Sequence, residues 1–268
     1  MCSMIYVLLP AYNEEKSFSQ LIPKISKHLI DEGFDFLIIT CNDGSTDGSS
    51  EILEKLKQSY PLEILTHKIN RGLGETSRDL FERAAELAHP DDVIIRLDCD
   101  NTHEPEYITR MIRKLDEGFD VVTASRFQEG GGQSGVTLYR SIISYCAQIF
   151  MKVIFGLWGQ KEFSCGYRAY RARIIQKAIS IYGNQFIQLK GLGFTCTLEK
   201  MIKLKMLGAR FAEVGFHLRY DKKTSHSKMI TSITTLGYLA MAVLYHWPFG
   251  GWKYQWPKQI KKYESSGY

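Results

Sequence analysis

Short, continuous apolar runs alternate with polar-faced segments through the first half of the chain. Runs of this length are typical of strands buried on both faces. The segments between them carry apolar residues every three or four positions, as amphipathic helices do. Strands are predicted over residues 4–9, 36–39, about 62–65, 93–98 and 120–124. This alternation predicts an α/β fold, with a mostly parallel sheet and helices packed against both faces.

Polar residues between these elements predict where strands and helices begin and end. Pro10 is expected to stop the first strand, because proline cannot donate a hydrogen bond to a sheet ladder. Asn13 is the predicted N-cap of the first helix, and Thr46 or Asp47 is that of the second. The fourth helix is expected from about residue 104 to residue 116.

Two long apolar stretches in the second half, about 137–159 and 229–249, predict helices of a different kind. The first has no acidic residue, and the second has no charged one, although Thr, Ser and Gly dilute it too much for a membrane span. Each helix either packs in the core or lies against lipid. Trp247, Trp252 and Trp256 follow among lysines, a mixture typical of a bilayer interface. This favours peripheral membrane association over a docked C-terminal helix.

Asp98 and Asp100 end the fourth predicted strand. In a doubly wound parallel sheet, ligands bind in the crevice at the carboxyl ends of the strands. Two carboxylates one residue apart at that edge supply hard oxygen ligands for a divalent cation that is shared with a phosphate. The alternative is that Asp100 only caps the helix that follows.

Two other strand ends, at residues 10–14 and 42–45, also carry ligand-type side chains. All three ends should gather along one edge of the sheet. A tyrosine face, carboxylates for ribose or base donors, and an acidic pair together outline a nucleotide diphosphate site. A dehydrogenase is not expected, because residues 11–14 do not form the Gly-x-Gly-x-x-Gly turn that should follow the first strand.

Length, net charge and cysteine spacing limit the class of protein and the partners that are expected. The 268 residues are enough to bury a large core in a single α/β domain. The formal net charge of +5 is mildly basic and the basic residues form no long run, so no nucleic acid is expected as a partner. The six cysteines are scattered without a Cys-x-x-Cys pair, which indicates reduced thiols in a cytoplasmic protein, and no signal peptide is expected.

Seven motifs together carry a resemblance to a known family. They are Leu9-Pro10-Ala11-Tyr12-Asn13-Glu14, Asn42-Asp43-Gly44-Ser45-Thr46-Asp47, Asp98-Cys99-Asp100, Ala124-Ser125-Arg126-Phe127, Ser164-Cys165-Gly166-Tyr167-Arg168-Ala169-Tyr170, Glu213-Val214 and Ser227-Lys228-Met229. With these motifs the chain resembles glycosyltransferase family 2 of the GT-A fold, and within it the polyprenyl-phosphate glycosyltransferases such as dolichol-phosphate mannose synthase. The resemblance covers about residues 4–229.

The resemblance implies a domain organisation. Residues 1–228 would form one Rossmann-like GT-A domain, with a donor-binding half at about 1–126 and an acceptor-side half at about 127–228. Residues 229–268 would add a C-terminal amphipathic helix and a Trp/Lys-rich tail.

On the donor side, the resemblance implies that Asp98 and Asp100 hold Mg²⁺ or Mn²⁺ on the diphosphate. The residues that would bind the nucleotide sugar are Pro10, Tyr12, Glu14, Asp43 and Gly72, together with Asp98 and Asp100. The chain departs from the family pattern at Thr102, where a glutamine is frequent, and at Glu162, where an aspartate is frequent. Thr102 makes a third side-chain metal ligand doubtful.

On the acceptor side, the resemblance places cations for the acceptor phosphate and the leaving diphosphate. The residues implied are Arg126, Ser164, Arg168, Arg219 and Lys228, with Arg126, Lys228 and Glu162 counted as catalytic. The alternative for each cation is an ordinary surface salt bridge. If the acceptor were a sugar hydroxyl, Glu162 would be the general base.

The expected function is a metal-dependent inverting transfer of a hexosyl group from a GDP- or UDP-linked sugar to a membrane polyprenyl phosphate. Such an acceptor is already an anion, so alignment and charge stabilisation can supply most of the catalysis. The alternatives are a family member that glycosylates a saccharide or another lipid, and a silent nucleotide-sugar-binding subunit. The protein is expected at the cytoplasmic face of a membrane. Anchorage by a partner subunit and self-association into a homo-oligomer stay open.

Overall fold

The computed structural model describes residues 3–135, 138–222 and 231–265. The strands are β1 Ile5–Ala11, β2 Phe36–Asp43, β3 Leu62–His67, β4 Val93–Arg96, β5 Val121–Ser125, β6 Gly132–Ser134, β7 Arg168–Arg171, β8 Phe211–Gly215 and β9 His217–Arg219. The helices are α1 Glu15–Asp31, α2 Ser49–Lys57, α3 Leu73–Leu87, α4 Tyr107–Asp116, α5 Leu138–Phe155, α6 Ala172–Tyr182, α7 Thr195–Met206, α8 Thr231–His246 and α9 Gly251–Ser265.

Seven strands form one mixed sheet in the order β3-β2-β1-β4-β7-β5-β8, and β6 pairs with β9 in a small second sheet. Within the large sheet β7 runs antiparallel to β4 and β5, and the other pairs are parallel. Helices α1, α2 and α4 bury their apolar faces on one side, and α3, α6 and α7 on the other. The predicted α/β class and mostly parallel sheet are confirmed.

Residues on both faces of the central strands are buried, which explains why these strands are continuous apolar runs in the sequence. Leu8 and Ile94 belong to the core on the α3 side, whereas Val7 and Ile95 belong to the core on the α1 side. Successive side chains of a strand point to opposite faces, so both faces need apolar residues when both are covered by helices.

The order in which the chain adds strands to the sheet reverses between β1 and β4, and this switch point defines a ligand crevice. From β1 the chain moves to β2 and β3 on one side, and it returns to place β4 on the other side. Crevices of this kind lie at the carboxyl ends of the strands. The crevice is therefore bordered by the residues that follow Ala11 and Arg96.

Pro10 does not stop β1, contrary to expectation. It lies inside the strand in register with Cys41 of β2. The Leu8 carbonyl accepts from Leu97 of the β4 side at 3.3 Å, so Pro10, two residues on, also has its nitrogen side toward β4. The β1–β4 ladder has already ended at Leu8 and Arg96, so the missing N–H of Pro10 breaks no sheet hydrogen bond.

Three predicted helix starts are also corrected. The N-cap of α1 is Glu14 rather than Asn13, whose φ of +51° joins the strand to the helix. The N-cap of α2 is Gly48, although Asp47 Oδ1 does accept from the Ser49 N–H at 3.0 Å. Helix α4 begins at Tyr107, later than the predicted residue 104, because residues 97–106 form an irregular loop.

Helix α9 docks on the domain instead of projecting toward lipid. Trp252 and Trp256 are buried, and the Trp252 ring lies 4.3 Å from the ammonium of Lys203 on α7. The interface role predicted for these two tryptophans is therefore wrong, whereas Trp247 is 69% exposed. Within the described ranges, no helix is both long and apolar enough to cross a membrane. The predicted domain boundary at residue 228 falls outside the described residues.

Candidate active site

The loops after β1 and β2 are bonded to each other at the crevice. The Asn13 N–H donates to Ser45 Oγ at 2.9 Å, and the Glu14 N–H donates to Ser49 Oγ at 3.0 Å. Asn13 Oδ1 accepts from the Thr46 N–H at 2.8 Å. The loops therefore form one unit, and the polar residues of both motifs fix its shape.

Pro10, Tyr12 and Glu14, predicted to bind the nucleotide, differ in exposure. Pro10 and Glu14 are buried, and Glu14 Oε2 accepts from Ser17 Oγ at 2.9 Å. Tyr12 is partly exposed on the loop that follows β1. Tyr12 is therefore the least buried of the three side chains.

Asp43 is buried beneath the loop that follows β3. Its Oδ1 accepts from the Arg71 N–H at 2.9 Å and from His67 Nδ1 at 2.6 Å, and its Oδ2 accepts from the Gly72 N–H at 2.8 Å. The carboxylate holds Gly72, which has a φ of +88° that favours glycine and which is the N-cap of α3. Contact of Asp43 with base or ribose stays a prediction.

His67 completes a buried chain of polar groups that the sequence did not suggest. Its two ring nitrogens face Asp43 at 2.6 Å and Asp79 at 2.9 Å. Burial would raise the pKa of Asp79, but hydrogen bonds from His67 and Arg78 outweigh it and lower that pKa. Asp79 comes from α3, so this chain ties the helix to the ends of β2 and β3.

Asp98 lies at the crevice with both carboxylate oxygens near cationic or imidazole groups. Arg96 Nη2 is 2.7 Å from Oδ1, and His103 Nε2 is 3.8 Å from Oδ2. The Asp98 N–H also donates to His103 Nδ1 at 3.1 Å. The Asp98 side chain is 28% exposed, so it is oriented from inside the protein and reaches solvent.

Asp100 is oriented by the residue that departs from the family pattern. Thr102 donates to Asp100 Oδ1 from its hydroxyl at 2.5 Å and from its N–H at 3.2 Å. The alternative of a helix cap does not hold, because the N-cap of α4 is Glu106. Thr102 is buried, so it acts as a support for Asp100.

The acidic pair has the chemistry of a magnesium or manganese site. Hard divalent ions of this size take one or two carboxylates, and phosphate oxygens and water complete their coordination. Asp98 and Asp100 supply two such carboxylates at the crevice. Residues 3–135, 138–222 and 231–265 contain no group of three or more His, Cys, Asp or Glu side chains placed to hold a metal ion. The donor set therefore fits an ion that is shared with a diphosphate.

Arg126, Glu162 and Ser164 form a tight cluster between the end of β5 and the loop before β7. Glu162 accepts from Arg126 Nε at 2.7 Å and from Arg126 Nη2 at 3.0 Å, and the same Nη2 donates to Ser164 Oγ at 2.9 Å. Cys165, next to Ser164, lies 3.9 Å from His103 Nε2. His103 thus joins this cluster to the loop that carries Asp98.

Glu162 is a buried, ion-paired carboxylate, and its role as a general base for a hydroxyl acceptor stays a prediction. Its side chain is 1% exposed, and it also accepts from the Ser164 and Cys165 N–H groups at 3.0 and 3.1 Å. Burial would raise the pKa of Glu162, but the charge and hydrogen bonds of Arg126 outweigh it and lower that pKa. Glu213 supports the loop by accepting from the Glu162 N–H at 2.8 Å.

Arg168 supports the loop before β7, and its phosphate-binding role stays a prediction. It is 1% exposed, and its terminal nitrogens donate to the carbonyls of Thr197 at 2.9 Å and Phe163 at 3.0 Å. These bonds hold the 162–166 loop to α7.

Arg219 lies at the surface next to the loop that carries Asp98 and Asp100. Its backbone N–H donates to the Thr102 carbonyl at 3.4 Å, and its side chain pairs with Asp221 at 2.8 Å. It lines a cavity of about 310 Å³ with Glu104, Glu106, Tyr107 and His217. Lys228, the remaining predicted cation, lies outside the described residues.

Comparison with known proteins places this arrangement in a family. The family model described as Glycosyl transferase family 2 matches residues 6–179. A dolichol-phosphate mannosyltransferase of Pyrococcus furiosus is 26% identical over 213 residues, which are 79% of this chain and 55% of that protein. An undecaprenyl-phosphate 4-deoxy-4-formamido-L-arabinose transferase of Salmonella paratyphi B is 31% identical over 172 residues, 64% of this chain and 50% of that protein. The chain spans about half the length of these curated relatives.

Solved structures share the fold. Glucosyl-3-phosphoglycerate synthase from Mycobacterium tuberculosis, in complex with Mn²⁺, uridine diphosphate and phosphoglyceric acid, matches with a TM-score of 0.60 at 18% identity, over 91% of this chain and 78% of that one. S. aureus TarS matches with a TM-score of 0.53 at 19% identity, over 80% of this chain and 60% of that one. These matches confirm the GT-A fold.

Proposed function

The chain belongs to glycosyl transferase family 2, and on that premise we propose that it transfers a hexosyl group from a nucleotide diphosphate sugar to a polyprenyl phosphate. The transfer would invert the sugar carbon and require Mg²⁺ or Mn²⁺. One observation carries the proposal. The same His103 nitrogen, Nε2, lies 3.8 Å from Asp98 Oδ2 and 3.9 Å from Cys165 Sγ, so it links the carboxylate pair Asp98 and Asp100 to the loop that orients Arg126.

The donor would bind across the loops after β1, β2 and β3. Tyr12 offers an exposed ring to the base, while Asp43 and Gly72 keep the loop before α3 in place. A uridine or a guanosine nucleotide suits these groups equally. The M. tuberculosis neighbour was solved with uridine diphosphate, and its likeness to this chain concerns the fold.

Asp98 and Asp100 would hold the divalent ion. When bound, the ion would supply positive charge that stabilises the departing diphosphate. Thr102 keeps Asp100 in place and Arg96 does the same for Asp98, so both carboxylates are oriented before any ligand arrives. Groups fixed in advance need no rearrangement when charge develops on the leaving group.

The pairing of Glu162 with Arg126 favours an acceptor that is already ionised. A hydroxyl acceptor needs a base, and the Glu162 carboxylate has no exposed oxygen and a lowered pKa. A phosphate needs only alignment and a cation, which Arg126 and Ser164 can provide. The names of the two curated relatives contain dolichol phosphate and undecaprenyl phosphate, which agrees with a lipid phosphate as the acceptor.

A lipid acceptor requires contact with a membrane, and an apolar surface is present for it. We call this the α5–α8 stripe; it consists of Ile142, Tyr145, Ile149, Val153, Leu236, Leu239 and Val243, all exposed. The C-terminal ends of α5 and α8 meet, with the rings of Phe155 and Tyr245 5.2 Å apart. Trp247 lies one turn beyond Val243 and continues the α8 side of this surface.

The test is a turnover screen with UDP- and GDP-linked hexoses and Mn²⁺, with and without a short-chain polyprenyl phosphate. We expect a glycolipid product, and we expect Asp98→Asn or Asp100→Asn to lower its rate by at least about 100-fold. Asp91→Asn is the control, because this exposed carboxylate stands before β4, at the opposite end of the strand. Full transfer by both acidic-pair variants would contradict the proposal.

The same screen distinguishes the other functions. Donor hydrolysis without a lipid product would indicate a saccharide or another lipid as acceptor. Donor binding without any turnover would indicate a nucleotide-sugar-binding subunit. Either result would keep the family and replace the proposed reaction.

A further inference from the structure

Arg96 is the last residue of β4 and stands two positions before Asp98. Its side chain is 3% exposed, and its Nη2 lies 2.7 Å from Asp98 Oδ1. Within the part of the chain that the structure describes, none of its three guanidinium nitrogens has a hydrogen-bond partner, so the contact with Asp98 is an ion pair without hydrogen-bond geometry. A buried charge that makes no hydrogen bond is costly for folding.

The surroundings of Arg96 add to this cost. Arg168 of β7 is its cross-strand neighbour, so two like charges stand directly opposite each other. Lys200 of α7 is buried above the Phe81 ring, 4.4 Å away. Burial lowers the pKa of Lys200 to about 7, and the charges of Arg96 and Arg168 act in the same direction. The positive charge behind Asp98 is therefore that of the Arg96 and Arg168 guanidiniums, and their presence disfavours a further charge on Lys200.

Arg96 also reaches the acceptor-side loop. A Cβ atom on Gly166 would overlap the Arg96 guanidinium, so this glycine leaves the space that the guanidinium fills. Gly166 follows Ser164 and Cys165 in the loop before β7. One buried side chain thus lies between the acidic pair and the loop that orients Arg126.

We propose that Arg96 is a positioning residue that makes metal binding at Asp98 depend on the nucleotide. The inference rests on the proposed function, in which Asp98 and Asp100 hold the divalent ion. A free divalent cation at Asp98 meets a carboxylate already shared with a guanidinium and a region of positive charge, which disfavours its binding. A nucleoside diphosphate brings negative charge that offsets the charge of the ion. The same guanidinium then attracts the combined ligand.

The experiment measures Mn²⁺ affinity by electron paramagnetic resonance of the free ion, without nucleotide and with UDP or GDP. The variant is Arg96→Met, which keeps length and removes the charge. Arg96→Gln removes the charge and stays polar, in case the methionine variant does not fold. Arg96→Lys keeps the charge. Arg173→Met is the matched control, because this half-exposed arginine pairs with Asp91 before β4.

For the wild-type protein we expect UDP or GDP to tighten Mn²⁺ binding by at least about tenfold. Arg96→Met should tighten the binding of Mn²⁺ alone by about tenfold and weaken the effect of the nucleotide on Mn²⁺ affinity. Because the coupling is reciprocal, the effect of Mn²⁺ on nucleotide affinity should fall by the same factor. Arg96→Lys should keep most of the coupling, and Arg173→Met should keep all of it. A structural role alone would alter the melting temperature and leave this coupling unchanged.

Two negative results have different meanings. If the wild-type protein binds Mn²⁺ with neither nucleotide, the proposed function itself fails. If the wild-type protein binds Mn²⁺ and nucleotide together but folded Arg96→Met or Arg96→Gln shows the same coupling, the role of Arg96 is overturned and the proposed function stands.

Discussion

Arg126 and Glu162 form a two-point ion pair between the end of β5 and the loop before β7. Nε lies 2.7 Å from Oε2, and Nη2 lies 3.0 Å from Oε1. Both side chains are largely buried, with 10% and 1% of their surface exposed. The pair explains how a buried carboxylate stays ionised. It also explains why an arginine at the crevice keeps one orientation with part of its surface available to a ligand.

Replacing Glu162 should show how much the Arg126–Glu162 pair contributes to the free energy of unfolding at each pH. Because its folded pKa is lowered, the pair contributes stability above the ordinary glutamate pKa of 4.5, and this contribution is lost as pH falls through the lower folded value. We expect Glu162→Ala to lower the free energy of unfolding by about 3–5 kcal/mol at neutral pH, since Arg126 is left unpaired. Thermal or urea unfolding from about pH 3 to pH 7 measures this.

The variant should also lose part of the acid sensitivity of the wild-type protein. Glu86→Ala is the control, because Glu86 is an exposed partner of Arg83 and such pairs contribute about 0–1 kcal/mol. An unfolding free energy for Glu162→Ala that matched the control at neutral pH would show that the pair is not a buried anchor.

His67 is expected to control donor binding through the loop before α3. In His67→Leu, Asp43 and Asp79 would both lose the imidazole that stands between them. Both carboxylates keep other donors, and a hydrogen bond to a charged group contributes about 1.5–3 kcal/mol, so we expect a loss of stability in that range. The 71–72 loop would also lose order, and the KM for the donor should rise about tenfold with little change in kcat.

Unfolding curves and donor titrations measure these two effects. His89→Leu is the matched control, because His89 is exposed and lies outside this chain of polar groups. A fall in kcat at unchanged KM would contradict a role in holding the donor loop.

Trp252 should be needed for folding rather than for lipid contact. Its ring is buried against α7 beside the Lys203 ammonium, and the buried Glu199 carboxylate pairs with that ammonium at 2.5 Å. We expect Trp252→Ala to lower the unfolding free energy by about 3–5 kcal/mol, as large-to-small changes in a core do. Trp247→Ala should leave stability nearly unchanged because Trp247 is exposed. Equal melting temperatures for the two variants would disprove the docking of α9.

The fold of the donor half could be predicted from the sequence because each of its elements has a recognisable pattern of apolar residues within its own segment. Strands β1, β2 and β4 are mostly apolar, each strand from β1 to β4 is followed by a helix with one apolar face, and parallel strands must place their carboxyl ends together. The positions of Asp98 and Asp100 follow from that rule. The ends of the elements were less predictable, since Pro10 and Asn13 act through pairing with β2 and its loop.

The acceptor half depends on contacts between distant residues, which local patterns do not reveal. Strand β7 enters the sheet between β4 and β5 in the opposite direction, and its four residues carry no strand pattern of their own. Helix α7 buries Glu199, Lys200 and Lys203. Because charged residues are usually exposed, its sequence does not indicate that it belongs to the core. Arg168 and Glu162 belong to the predicted acceptor-side segment, but their buried partners, the carbonyls of Thr197 and Phe163 and the guanidinium of Arg126, lie far away in the sequence or carry no local signal.

The docking of α9 changes how membrane contact must be tested. A truncation before Trp247 would remove Trp252 and Trp256 from the core, so loss of lipid binding could follow from unfolding. Single changes on the α5–α8 stripe avoid this difficulty. Leu239 and Val243 are exposed on α8, while Met241 between them is buried and holds the helix in place.

We therefore expect Leu239→Glu and Val243→Glu each to weaken binding to phosphatidylglycerol liposomes by about ten- to a hundredfold, as the loss of about 1.5–3 kcal/mol of apolar burial requires. Flotation without detergent measures the bound fraction. Ile30→Glu is the matched control, because Ile30 is an exposed apolar residue on α1, outside the stripe. All three variants should keep the melting temperature of the wild-type protein. If flotation were equal for the stripe variants and the control, a different surface would have to bring the active site to its lipid acceptor.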